Sequence, residues 1–326
     1  STELTARLRA FELDLVFVVG APAEGDLRAE GAIYEQARYP YLNTVTCAGH
    51  ATLSTGAWPR THGIILNQWY RRAEQRVRTC TGDDTVRSIP YEGPPEKEGH
   101  SAAQLRVPTL AERLRARWPT SRAVTLSIKA RSAIMMAGRG ATAVTWRADG
   151  EWVTSTAFAA APEPRVAKRL VARTSAQLHD AWTLLHEPAW YAAADDTPGE
   201  RPPRGWTALF PHPLEGAAPG ADETRWETSP FADAALGGIA ADLVDDFALG
   251  RRSDRVDFLG VSFSATDLVG HAFGPDSREV EDTLARLDET LGTLLRALDA
   301  KVGRGRYVLG LSADHGVAPI PEARRG

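Results

Sequence analysis

With 326 residues, 43% of them apolar and 25% charged, the chain can bury one large core, or a core plus an inserted subdomain, and intrinsic disorder is excluded as its main state. The formal charge of −4 comes from interspersed acids and bases, which leaves no nucleic-acid footprint; a charged ligand has to be met locally. The longest apolar run falls far short of the roughly 20 residues a bilayer span needs, and two cysteines, Cys47 and Cys80, are too few for a disulfide scaffold or a Cys-rich zinc module.

The chain starts at Ser1 without a methionine, as a processed secretory protein or a trimmed chain would. Residues 13–19 form a short run rich in β-branched residues, closed by Gly20-Ala21-Pro22, and read as a buried strand entering a loop. The segment around Thr46 follows, with small residues after the hydroxyl and then His50. Two readings stand for Thr46: an N-cap, or a nucleophile at a helix N-terminus whose amides face an anion. Cys47 and Cys80 could form one bridge in an oxidising compartment or remain two thiols.

Further strands are expected at 123–128, 258–263 and 307–311, with helices at 107–117, 234–249 and 280–298. Strands alternating with helices imply an α/β fold with a mostly parallel sheet covered on both faces, whose ligands sit beyond the carboxyl ends of the strands. Residues 141–231, with many prolines, six tryptophans and no β-α alternation, read as an inserted cap with a small core of its own.

The strand ends carry the chemistry. Asp267 and His271 follow the 258–263 strand, and Asp314 and His315 follow the 307–311 strand. Each pair alone is weak, since a surface acid beside a hydrogen-bonded histidine is common. Together they supply the oxygen and nitrogen donors that zinc accepts, with Gly270 and Gly316 expected to permit the tight backbone that turns the side chains inward. Such a centre can serve phosphate ester hydrolysis, because two metal ions about 4 Å apart neutralise charge and clamp the attacking and leaving oxygens.

The runs YPYLNTVTCAGHATLSTGAWPRTHGIILNQWY, SIKARSAIMMAG, SFSATDLVGHAFGPDS and LSADHGVAPIPE, in this order, resemble the PafA-type alkaline phosphatases, a branch of the alkaline phosphatase superfamily that also holds nucleotide pyrophosphatase/phosphodiesterases and sulfatases. The resemblance covers nearly all of the chain outside the proposed cap. It implies an alkaline-phosphatase-like α/β sandwich and a hydrolase of small organic phosphate monoesters, acting through a phosphothreonine at a site holding two Zn2+ or another divalent metal. By motif, Thr46 corresponds to the nucleophile, which also touches one zinc, with Asp314 and His315 as ligands of that zinc and Asp267 and His271 as ligands of the second. Asn67 corresponds to a donor to a phosphoryl oxygen. Lys129 and Arg131 correspond to a pair that contacts phosphoryl oxygens and the leaving side in the monoesterases and is lacking in diesterase relatives; without the motif they would read as a solvated rim. His50 and His62 are structural in this scheme.

The sequence departs from that pattern twice. The run 13–19 is followed by Gly20 where the family has a metal-binding aspartate; Asp26 is the nearest aspartate downstream, and the pattern implies residues absent near 20–25. The family also supplies a further zinc histidine after Asp-His-Gly, which residues 317–326 lack, so the expectation is a single catalytic domain over 1–326, incomplete at its C-terminus. Two rivals share the motifs: a phosphodiesterase or nucleotide pyrophosphatase, and a non-catalytic homologue that binds metal or anion. A periplasmic or secreted location is expected, with monomer and homodimer both open.

Overall fold

The computed structural model describes residues 14–19, 31–34, 36–93, 98–174, 181–214 and 221–322. Its centre is a seven-stranded sheet in the order β11-β1-β10-β5-β6-β7-β4, built from β1 (Asp14–Val19), β4 (Ser88–Pro90), β5 (Ala123–Ser127), β6 (Ala143–Ala148), β7 (Glu151–Ser155), β10 (Asp257–Ser262) and β11 (Val308–Ser312). Two small two-stranded sheets stand apart from it, the hairpin of β2 (Gln68–Arg71) with β3 (Arg76–Thr79) and the pairing of β8 (Ala181–Trp182) with the distant β9 (His212–Pro213). The helices are α1 (Thr46–Thr55), α2 (Pro59–His62), α3 (Leu110–Arg117), α4 (Ala130–Ala137), α5 (Pro164–Thr174), α6 (Ala221–Glu227), α7 (Pro230–Asp246), α8 (Ala265–Phe273) and α9 (Arg278–Leu298).

Side chains alternate across the sheet as strand geometry requires. Val124 and Leu126 of β5 with Leu259 and Val261 of β10 join a core under α7 and α9. Ala123 of β5, Phe258 of β10 and Val144 of β6 face the other way, into a core with Ala51 of α1 and Ile134 of α4. Helices therefore cover both faces, the α/β layering expected.

The sheet is mixed, however, not mostly parallel. β10 runs parallel to β5 and β5 to β6, while β1 is antiparallel to both β10 and β11, and β7 to both β6 and β4. Because β10 and β11 both oppose β1, they run in one direction with β5. The carboxyl ends of β5, β10 and β11 thus share one sheet edge, and the chemistry-bearing segments leave from there.

The boundary drawn at residue 141 does not hold either. β6 and β7 are strands of the main sheet, joined by a two-residue turn in which Asp149 and Gly150 have φ of 48° and 82°. The later tryptophans Trp182, Trp206 and Trp226 lie in the core beneath α7 and α9 and form no core of their own. Residues 182–193 are tied to the start of α9: buried Asp282 accepts hydrogen bonds from Trp182 Nε1 (2.7 Å), Leu185 N (2.7 Å) and Tyr191 OH (2.5 Å), and Glu281 accepts from Ala192 N (2.9 Å). Carboxylates at a helix N-terminus are favourable with the helix dipole, which makes this an anchoring point.

Cys47 and Cys80 are joined by a disulfide closing a separation of 33 residues. On the loop-entropy account such a link contributes about 4 kcal/mol.

Candidate active site

Thr46 is the first residue of α1, and Val45, in extended conformation, occupies the N-cap position without any side-chain cap. The N-cap reading of Thr46 is therefore overturned: its hydroxyl does not close its own helix. It reaches across the sheet edge instead, with Oγ1 3.3 Å from Nε2 of His315. Nδ1 of His315 faces the Gly316 carbonyl at 3.2 Å, and Nε2, besides Thr46, lies 3.4 Å from Asp314 Oδ2, so each ring nitrogen looks onto an oxygen acceptor. Thr46 and Asp314 are both almost fully buried.

Gly49 explains how α1 and the β11 end come so close. A Cβ built on Gly49 would stand 2.2 Å from the Asp314 carbonyl oxygen, so only glycine admits the approach. This corrects the assignment of that task to Gly270 and Gly316. Gly270 is an ordinary helical residue of α8 whose added Cβ would meet only Val317 at 4.0 Å, and Gly316 has no positive φ.

The second cluster lies on α8, which leaves β10. Asp267 is paired with the Lys129 ammonium and, through Oδ1, with His271 Nε2 at 3.2 Å. The Asp267 hydrogen bond raises the His271 pKa, against burial and the opposing charges of Lys129 and Arg131. Those four predicted residues therefore share one electrostatic neighbourhood. The start of α8 is held by buried Asp233 of α7, whose carboxylate accepts from Ala265 N at 3.2 Å.

A buried hydroxyl ladder connects the two clusters. Lys129 N donates to Ser127 Oγ (3.1 Å); Ser127, Ser264 and Ser262 follow at 3.2 Å steps; and Ser262 Oγ meets His50 Nε2 at 3.2 Å. His50 Nδ1 is 2.9 Å from the Thr46 carbonyl and 3.3 Å from Asp314 Oδ2. Since the backbone N–H at one end only donates and the carbonyl and carboxylate at the other only accept, one direction satisfies every member: each hydroxyl donates onward and His50 carries its proton on Nδ1. His50 is thus structural, as expected, but what it braces is the Thr46–Asp314 corner. Its position four residues after Thr46, one helical turn on, was the available signal. The serines and Asp233 carry no spacing signal that sequence could show.

Asn67 follows α2, and its side-chain Oδ1 accepts from Cys47 N at 2.8 Å. That fixes the amide orientation and turns its NH2 group away from the helix backbone. His62 is buried in the scaffold, bonded to Thr52 Oγ1 (3.2 Å) and Ile64 N (3.1 Å), with burial lowering its pKa to about 4.

The donor types suit zinc: a hydroxyl, a carboxylate and an imidazole at Thr46, Asp314 and His315, and a carboxylate and an imidazole at Asp267 and His271. Among the described residues, no group of three or more His, Cys, Asp or Glu gathers closely enough to hold an ion. The Gly20–Gly25 stretch and Asp26, where a further aspartate was sought, lie outside the described residues. No described helix is long and apolar enough to cross a membrane.

Comparison with known proteins adds the following. The family described as type I phosphodiesterase / nucleotide pyrophosphatase matches residues 18–326. The alkaline phosphatase PhoV of Synechococcus elongatus is 34% identical over 303 residues, covering 90% of this chain and 54% of PhoV. The alkaline phosphatase PafA of Elizabethkingia meningoseptica is 35% identical over 290 residues, covering 85% and 52%. The crystal structure of wild-type PafA superimposes with a TM-score of 0.71 at 30% identity over 81% of this chain and 52% of that one, and a quadruply substituted PafA gives 0.77 at 26% over 93% and 58%. The chain spans about half the length of the curated relatives it matches. It belongs to the type I phosphodiesterase / nucleotide pyrophosphatase family and shares the α/β fold of the PafA alkaline phosphatases.

Proposed function

We propose that the chain carries most of the catalytic domain of a phosphoric monoester hydrolase, an alkaline phosphatase acting on small organic phosphate monoesters with Thr46 as nucleophile. The observation that carries this reading is the placement of the Thr46 hydroxyl: at an uncapped helix N-terminus, buried, and 3.3 Å from His315 beside Asp314. Such a position presents the oxygen to phosphorus with helix amides behind the transferring group.

Thr46 Oγ attacks phosphorus as the bond to the ester oxygen breaks, giving phosphothreonine and a free alcohol; water then attacks the same phosphorus and releases phosphate. The Asn67 NH2 donates to a phosphoryl oxygen. Lys129 and Arg131 supply positive charge on the side of the departing oxygen, which matters more for a monoester, with its extra negative charge, than for a diester. Thr46, Asp314 and His315 would hold one zinc, and Asp267 and His271 would contribute to a second. Bound there, the metals would lower the hydroxyl pKa and neutralise charge on the transferring group. The buried Cys47–Cys80 disulfide supports a periplasmic or secreted location, where such bonds persist.

The test compares turnover of nitrophenyl phosphate with bis-nitrophenyl phosphate by the zinc-loaded protein, and traps the phosphoenzyme at acidic pH. The expected result is a strong monoester preference, with label on Thr46 and loss of at least about 10³-fold in rate on Thr46→Ala. A diester preference favours the second reading, a phosphodiesterase or nucleotide pyrophosphatase, which the family description motivates. Zinc and phosphate binding with no turnover of either ester favours a non-catalytic homologue.

A further inference from the structure

Asn67 is held from two directions by the two halves of one cross-link. Its side-chain Oδ1 accepts from the amide of Cys47, and its backbone carbonyl accepts from the amide of Cys80, each at 2.8 Å. Cys47 and Cys80 are in turn bonded to each other, and both are essentially inaccessible to solvent. Cys47 is also the residue directly after Thr46, in the first turn of α1. A backbone N–H can only donate, so the atom facing Cys47 has to be the Asn67 oxygen, and the two side-chain N–H bonds are left to point elsewhere.

We propose that the Cys47–Cys80 disulfide is a positioning element for the phosphoryl-transfer site: it locks the register between the nucleophile helix and the Asn67 loop, so that the Asn67 NH2 is aimed before substrate arrives. The proposal rests on the reading of Thr46 as nucleophile and Asn67 as phosphoryl donor. The cysteines touch no substrate; they act through Asn67. Without the bond, α1 and the 67–80 loop remain near each other through side-chain packing, with Cys47 in the same core as Ile64 and Cys80. The bond from Cys80 N to the Asn67 carbonyl continues the β2–β3 ladder and remains; what is lost is the fixed separation on which the 2.8 Å bond from Cys47 N to Asn67 Oδ1 depends. A donor that is not preorganised loses much of its value where charge develops.

The experiment uses the whole zinc-loaded chain as wild type, Cys47→Ala/Cys80→Ala, Asn67→Ala and the triple variant. Lower thermal stability of the cysteine variant is expected under any role for the bond and decides nothing. The discriminating result, measured well below its melting temperature on protein shown folded by circular dichroism, is a fall in kcat for nitrophenyl phosphate of about 10- to 100-fold with KM little changed. The triple variant should be no slower than Asn67→Ala within a factor of about 3, because both substitutions remove the same interaction. A folded cysteine variant with wild-type kcat, or losses that multiply in the triple variant, would overturn the proposal.

A readout independent of catalysis is hydrogen exchange at the backbone amide of position 47, expected to be at least about 10-fold faster in the cysteine variant than in wild type; unchanged protection there also counts against the proposal. If the double variant does not fold, folded wild type treated with a phosphine reductant replaces it, with thiols counted by mass and activity followed in parallel. Activity that falls as thiols appear and returns on reoxidation supports the role; full activity in the reduced protein refutes it. An inactive wild type, or an unaffected Thr46→Ala, would instead sink the phosphatase reading while leaving the exchange result to judge the cross-link.

Discussion

Gly49 and Asp314 are in backbone contact: a methyl group on the Gly49 α-carbon would stand 2.2 Å from the Asp314 carbonyl oxygen and 2.7 Å from its carbon. The obstacle is main chain, not a flexible side-chain end, so the loop after β11 must move as a unit to accommodate it. Gly49→Ala is expected to lower stability by about 1–3 kcal/mol and to reduce kcat on the order of 10²-fold by displacing Asp314 and His315 from Thr46. Denaturant titration and steady-state kinetics on the same preparation check it. A variant of normal rate would show that the close approach does not set the site.

The ladder from Lys129 to Asp314 predicts a penalty wherever it is cut. His50→Ala leaves the Ser262 hydroxyl and Asp314 Oδ2 each short of a buried partner, and an unmade buried hydrogen bond costs about 1–3 kcal/mol. Because Asp314 is the proposed ligand that His50 braces, zinc affinity should fall about 10- to 100-fold as well. Competition with a chromogenic chelator measures this directly, and wild-type affinity in His50→Ala would confine the residue to packing.

Lys129 and Arg131 are expected to separate the two esters. Their alanine substitutions should each slow nitrophenyl phosphate hydrolysis on the order of 10²-fold while changing diester turnover by less than about 10-fold. Equal losses on both esters would mean that the two cations hold the site together without discriminating charge; Lys129 in particular is paired with Asp267.

A fourth prediction concerns pH and lies away from the site. His212 Nε2 and Glu279 Oε1 are 3.1 Å apart, both completely buried, with Trp206 stacked on the imidazole at 4.7 Å. Burial raises Glu279 to about 8 and lowers His212 to about 4, with Asp195 and Asp282 adding negative charge near Glu279 and Arg278 opposing it. Burial thus favours the uncharged form of both partners, a protonated carboxyl beside a neutral ring. A carboxyl whose pKa is higher folded than unfolded binds its proton more tightly in the native state, so its stabilising contribution is complete below about 4.5 and is lost as pH rises toward 8. Melting temperatures recorded between pH 6 and 9 should therefore fall with pH, and Glu279→Gln, which keeps a neutral hydrogen-bonding group, should flatten that slope. An unchanged slope in the variant would assign the alkaline loss to other groups.

The strands at 123–128 and 258–263 were legible because a short, largely apolar run bounded by polar or turn residues has few other uses, and candidate site residues could be nominated because they fall in four short motifs. The mixed sheet was not, since strand direction is settled by pairing between distant segments such as β1 with β10 and β11. The edge at residue 141 failed for a local reason that could have been read. Asp149-Gly150 between two apolar runs is the signature of a tight hairpin, and the structure uses it to add β7 to the sheet. The tryptophans drew attention to composition when the turn carried the topology. His50 reads as structural in sequence, and only three-dimensional contact shows what it supports.

Thr46 and His315 meet across 269 residues of chain. A contact of that span closes only after the intervening strands have found their places, so the pair forms at the end of folding and not as a seed for it. No partly folded intermediate should hold an assembled nucleophile, and recovery of activity after dilution from denaturant should lag behind recovery of helical signal. Any chemistry that depends on this pair, the proposed ester hydrolysis included, would then wait for the two ends of the chain to meet, however early the helices appear.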